Sequence, residues 1–258
     1  MLFVSCGEKS ATVTEGTSTD AAVSVTEAFE SARDETVAVS EAQTETDLTA
    51  EMPEQSFSTK GYVSNGKDFI RMRLHTVMQE EIGMPFGCEA VSLAIALDYY
   101  GFEVDPETLF LEHMAKGRRG VANPFYAYVG DPRDRTGYGC YAPCAVRCAN
   151  SYLESVGSAL RARDISGATM DEIKAYLWEG KPVVLWGTLN MEHSSVLEVW
   201  RFGGNPVYWY NLSHCVVLSG TYSDRFFVCD PMEGSVSYLQ SDVERSYKQI
   251  YTQALVIE

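Results

Sequence analysis

Three side chains in this sequence have the types and order of a nucleophilic acyl-transfer site: Cys88, His214 and Asp230. Cys88 follows Gly87 and opens the run Cys88-Glu89-Ala90-Val91-Ser92-Leu93-Ala94-Ile95-Ala96-Leu97, whose apolar residues at 90, 91, 94 and 95 recur at helical spacing. The thiolate is the attacking species, and a helix N-terminus favours that anion through its partial positive charge. A base is needed next, and there are four histidines. His75 falls in a lead-in segment, His113 near the end of a short helix and His193 in an unpatterned stretch. Only His214 opens a strand with a carboxylate across a hairpin. With the turn centred on Tyr222, His214 and Asp230 are equidistant from it, as are Cys215 and Cys229. A carboxylate beside an imidazole fixes its tautomer and stabilises the imidazolium. Each signal alone has an ordinary structural reading, as a small core residue, a satisfied strand histidine and an Asp-Pro turn. The conjunction points to chemistry.

The elements that position these residues can be read coarsely. The Cys88 helix ends at Gly101, where a left-handed cap is wanted. Asp105-Pro106-Glu107 starts a second helix running to about Met114. Residues 117–139 are rich in Gly, Pro, Arg and Tyr without periodicity, and a long loop of that kind is more often functional than idle. A third helix covers about 141–156, and a fourth begins with the capping box Thr169…Glu172 and stops before Gly180. Residues 61–84 read as an irregular lead-in. Strands then dominate: the apolar run from Pro182 to Leu189, the hairpin of 214–220 with 226–231, and a last strand at 253–257. Helices first and strands later is an α+β pattern.

Composition bounds the rest. Residues 1–60 hold twelve acidic against three basic residues, so nine of the sixteen net negative charges lie there, and they contain no Trp or Tyr. Such a segment cannot bury enough apolar surface to offset its ordering entropy, so it reads as a disordered acidic stalk ahead of one domain at 61–258. The acidic balance excludes nucleic acid as a partner, since phosphate contacts need clustered Lys and Arg. No run of eighteen apolar residues occurs, so no helix is expected to span a bilayer. Met1-Leu2-Phe3-Val4-Ser5-Cys6-Gly7 resembles the tail of a truncated bacterial lipoprotein signal peptide, with Cys6 as the lipidated residue. The expected location is therefore extracellular, anchored by lipid to the outer face of the cytoplasmic membrane, with no other membrane contact. Cys140, Cys144 and Cys148 recur every four residues, on one face of a helix. No second ligand cluster accompanies them, so they read as core thiols rather than a metal site. Cys215 and Cys229 read as a cross-strand pair of packed thiols, in preference to a disulfide.

Pro85-Phe86-Gly87-Cys88-Glu89-Ala90-Val91-Ser92-Leu93-Ala94, with Tyr99-Tyr100-Gly101-Phe102 behind it, resembles the nucleophile helix of stand-alone, secreted relatives of the bacteriocin-processing (double-glycine-type) cysteine peptidases. The segments Asn123-Pro124-Phe125, Val129-Gly130-Asp131-Pro132-Arg133, Gly137-Tyr138-Gly139, Gly180-Lys181-Pro182 and His214-Cys215-Val216-Val217-Leu218 are similar to that subfamily too. The likeness spans about 65–257. It implies a papain-like fold, in which an N-terminal helix carrying the Cys packs on an antiparallel sheet carrying the His and Asp. It further implies Cys88 as nucleophile, His214 as base and then acid, Asp230 as orienter, and a Gln preceding the Cys as oxyanion donor. Gln79 takes that last role, one residue further from Cys88 than the pattern has it. The implied reaction is cleavage of a peptide bond in a peptide or peptidoglycan-like substrate through a thioester acyl-enzyme, with no metal or organic cofactor. Cell-wall amide cleavage or transpeptidation by the same chemistry stands beside it, as does a papain-like shell that only binds.

Overall fold

A computed structural model describes residues 43–44 and 62–258. Cys6 and all but two residues of the segment read as a stalk lie outside the described residues. The organising element is a nine-stranded sheet. Its main path runs β1 (Gln43–Thr44), β12 (Gly234–Leu239), β11 (Arg225–Asp230), β10 (Ser213–Tyr222), β7 (Val183–Thr188), β13 (Ala254–Ile257) and β6 (Ala162–Asp164). Among the described residues every pairing in it is antiparallel. β10 is the longest strand, and its second half also pairs with β3 (Phe69–Met72), which carries β2 (Tyr62–Ser64) on its other side.

Helices cover both faces, which explains why β7 is apolar throughout and buried at every position. Alternation along β7 and β10 sends Val184, Trp186, Cys215 and Val217 into one core, shared with α1 (Cys88–Tyr99) and α2 (Ala142–Ser155). Val183, Leu185, Val216 and Leu218 point into a second core with α3 (Met170–Trp178) and α4 (Gln240–Gln249). α1 is buried from Cys88 through Leu97 on all sides, because it sits between the sheet and the other helices rather than on the surface. Its end is a left-handed cap: Gly101 has φ +86° and donates to Asp98 O at 2.8 Å, and Phe102 donates to Leu97 O. α3 begins with the expected capping box, both halves present. Asp105 caps Pro106–Thr108, which runs into a π-helical turn, Leu109–His113.

Several expectations need correction. The lead-in is not irregular but contributes β2 and β3, joined where Asn65 Oδ1 accepts from the backbone of Lys67, Asp68 and Phe69. Cys140 lies ahead of α2, not on it, so only Cys144 and Cys148 share a helix. The β10–β11 turn falls at Ser223-Asp224, and Val217, not Cys215, stands opposite Cys229. Those two cysteines are not directly paired, and both are buried free thiols. Within the 189–213 stretch a separate hairpin forms, β8 (Val196–Phe202) with β9 (Asn205–Tyr210), turning at Gly203-Gly204. A short parallel pair, β4 (Lys116–Gly117) and β5 (Tyr128–Val129), sits in the long loop.

Candidate active site

The cleft lies where the N-terminus of α1 meets the start of β10. Cys88, Gln79 and His214 all line it, together with Phe86, Glu89 and Tyr138. Gly87 is the N-cap of α1, so Cys88 is the first helical residue. It is 9 % exposed while the other five described cysteines are 0–2 %, which makes it the most exposed thiol of these six.

His214 is held by Asp230. The ring's Nε2 donates to Asp230 Oδ1 at 2.7 Å, with both side chains almost wholly buried. The revised hairpin register makes them diagonal rather than direct neighbours, still within reach of an imidazole and a carboxylate. The same Oδ1 accepts from Met232 N at 2.8 Å, fixing the carboxylate from the turn that follows β11. Since Nε2 is committed to Asp230, Nδ1 is the nitrogen left to exchange a proton with a thiol. Burial opposes charging of the ring, but the charge and hydrogen bond of Asp230 outweigh it and raise the His214 pKa above its ordinary value. The other three histidines are placed elsewhere: His75 lines a separate groove, His113 bonds Ser151, and His193 contacts Ser194 O.

Gln79 is buried in the turn before α1. Its Nε2 donates one hydrogen to Pro85 O at 2.6 Å, which leaves the second amide hydrogen, and its backbone N–H donates to Pro231 O at 2.9 Å. That last bond ties the Gln79 turn to the end of the strand that carries Asp230.

The thiol itself departs from expectation. The helix N-terminus is expected to favour the thiolate, but burial and then the neighbouring Glu89 push the thiol pKa well above the ordinary range. Glu89 is the residue that sequence reasoning passed over. It is 5 % exposed, its Oε1 accepts from Cys140 N at 2.9 Å and its Oε2 accepts from Cys88 Sγ at 3.3 Å. Burial raises its pKa to about 7. The signal was available: a helix apolar on every side leaves its second residue no route to solvent.

The far wall is aromatic. Tyr138 from the long loop packs on Trp200 and Trp209 of the β8–β9 hairpin, with ring centroids 5.4 and 5.6 Å apart, and Tyr141 stacks on Trp209 at 5.5 Å. Glu198 of β8 ties the hairpin to that loop, accepting from Arg119, from Tyr138 Oη at 2.9 Å and from Trp200 Nε1 at 2.6 Å. Of the aromatics in and just beyond the 117–139 loop, Tyr138 lines the cleft, Phe125 and Tyr141 pack behind Trp209, Tyr128 is buried and donates to Phe86 O, and Tyr126 faces solvent. Trp186 is core, its indole donating to Cys140 O.

The sequence model of the Peptidase_C39 like family matches residues 73–255, most of the chain and every residue of this site and its aromatic wall. The chain belongs to the Peptidase_C39 like family. Membership supports a cysteine peptidase-like function. The chain is 25 % identical over 180 residues to the uncharacterized protein YvpB of Bacillus subtilis (strain 168), covering 67 % of this chain and 69 % of that one. Its fold is similar to that of a Bacillus anthracis protein assigned to the C39-like peptidases, with a TM-score of 0.62 at 24 % identity over 76 % of this chain and 97 % of the other. A double glycine motif protease from an AMS/PCAT transporter, solved with its leader peptide, matches at a TM-score of 0.44 and 21 % identity, over 76 % and 96 % of the two chains. The antiparallel sheet with a helix-borne Cys is thus the C39, papain-like architecture expected from the sequence.

Among the described residues no cluster of His, Cys, Asp and Glu has the arrangement of a metal site, and no helix is long and apolar enough to cross a membrane.

Proposed function

We propose that this C39-like protein is a cysteine peptidase in which Cys88 attacks a peptide carbonyl, His214 relays the proton and Asp230 orients His214. The observation that carries this reading is the buried His214–Asp230 bond at 2.7 Å beside the most exposed of the described cysteines, in one cleft. His214 takes the thiol proton on Nδ1 and returns it to the leaving amine, leaving a thioester that water hydrolyses by the same base. Gln79 directs its second amide hydrogen at the developing oxyanion, alongside the Cys88 backbone N–H.

The wall supports an extended peptide as substrate. Leu197, Trp209 and Tyr210 line the cleft beside Tyr138, an apolar and aromatic surface against which the side chains of a peptide can pack. Action outside the cell, through lipidation of Cys6, is part of the same proposal and is read by fatty-acid labelling of the intact protein that a Cys6→Ala change abolishes.

The chemical test uses a cysteine-directed alkylating probe at mildly acidic pH, followed by peptide mapping. Cys88 should label far faster than any other thiol, and His214→Ala should remove that advantage. Uniform slow labelling would mean a shell that binds without reacting. A peptide library then reads cleavage against amide transfer.

A further inference from the structure

Glu89 sits on the reacting sulfur, yet the triad gives it no task. Its carboxyl is built in from both ends. Oε1 is held by Cys140 N–H, and Oε2 is left to share a proton with Cys88 Sγ. Gly139 has φ +106°, and a Cβ there would lie 2.1 Å from Glu89 Oε1, so the backbone beside the carboxyl has been stripped to admit it. His214, when protonated, is the cation that acts on it, so beside a neutral ring a buried carboxylate is costly and a carboxylic acid is not.

We propose that Glu89 is a second catalytic residue, holding on Oε2 a proton taken up from solvent and donating it as a hydrogen bond to the thiolate that forms when His214 takes the Cys88 proton. This rests on Cys88 being the nucleophile. In the reactive form the thiolate lies between two donors, the Glu89 carboxylic acid and the His214 imidazolium. The sulfur attacks the carbonyl carbon, and the amide C–N bond breaks as the amine takes the His214 proton. Water then adds to the thioester and gives its proton to His214, and the sulfur leaves as the thiolate. Glu89 keeps its proton throughout, so atoms and charge balance without another reactant.

The remaining groups that face Glu89 do not titrate near neutrality. They are Tyr128 from β5, Cys140 and Tyr141 ahead of α2, and Cys215 of β10, and burial raises the pKa of each. Only Cys88 and His214 exchange protons with it in the working range, so the three titrate together. The reactive form carries one proton more than the resting thiol with a neutral ring and an ionised Glu89. Reactivity therefore falls as pH rises through neutrality, opposite to an ordinary thiol.

The experiment is the pH profile of Cys88 alkylation in the wild type and in Glu89→Gln. Glutamine keeps both contacts, accepting from Cys140 N–H and donating to the sulfur, but cannot ionise. In the wild type the rate should drop by roughly an order of magnitude per pH unit above about 7, until bulk thiol ionisation takes over. Glu89→Gln should stay flat and react about tenfold faster than wild type one unit above that point. A wild-type rate that climbs with pH, or an identical profile in the two proteins, overturns the proposal. If Glu89→Gln does not fold, by circular dichroism, the wild-type profile decides alone. Absence of any preferential Cys88 labelling at any pH instead sinks the nucleophile assignment, a different outcome.

Discussion

At the scale of single residues, the site is a chain of hydrogen bonds from the turn after β11 to the first residue of α1. His214 is positioned by a charge-assisted bond inside the protein, where it is neither screened nor free to rotate. Replacing His214 by Ala should lower kcat/KM for a cleaved peptide by 10²–10⁴-fold, of the order that removing a general base costs. Gln79→Ala should lower kcat by about 10²–10³ with little change in KM, since an oxyanion contact is made only as charge develops. A rise in KM with kcat unchanged would instead assign Gln79 to substrate binding. Cys88, His214 and Asp230 were legible because their chemistry depends on residue type and on proximity that a hairpin enforces even when its register is off by two. Glu89 was passed over although the helix apolar on every side signalled its burial, and the groups that enclose its carboxyl come from elements distant in sequence. The register itself slipped because the turn falls at Ser223-Asp224, beyond Tyr222, and the bulge in β10 between Leu218 and Gly220 takes back only one residue of that shift.

At the scale of elements, helices α1 to α3 were readable from caps and periodicity, and β7, β10 and β11 from continuous apolar runs. β2, β3, β12 and α4 escaped because they are short or polar and owe their form to the neighbours they pair with. The β8–β9 hairpin matters most among those missed, since it builds the aromatic wall. It shares no pairing with the main sheet, so its place depends on Glu198, on the ring contacts around Tyr138 and on the bonds of Tyr208 to the Tyr141 and Tyr251 hydroxyls. Glu198→Ala should therefore raise KM several-fold while leaving the rate of Cys88 alkylation by a small probe unchanged. Parallel loss of both would mean that the hairpin supports the nucleophile rather than the substrate. Gly139→Ala reports on the other wall: the added methyl meets Glu89 Oε1 and the left-handed backbone resists it, so a loss of about 1–3 kcal/mol in unfolding free energy is expected.

At the scale of the whole molecule, the buried titratable groups make the domain sturdier in mild acid than in mild base. Glu89 ionises at about 7 in the fold against an ordinary 4.5 for a glutamate carboxyl. A carboxyl whose folded pKa is raised stabilises fully below the unfolded value and loses that contribution as pH climbs through the folded one. At about 1.4 kcal/mol per unit, the difference between pH 4.5 and pH 8 is about 3 kcal/mol. His214, also raised, adds in the same direction. Below this window the sign reverses, because Asp131, Glu172 and Glu258 have lowered pKa values and lose their partners on protonation. The melting temperature should thus peak in mild acid and fall by several degrees toward pH 8, at about 2–4 °C per kcal/mol for a domain of this size. Self-repulsion among the surplus acidic residues acts the same way, but 1 M salt shortens the screening length to about 3 Å and removes it, while a buried carboxyl is screened far less. In high salt, then, the wild type should still lose stability between pH 5 and 8, and Glu89→Gln should lose little. Equal slopes for the two proteins would show that the carboxyl at the nucleophile carries no proton into the neutral range.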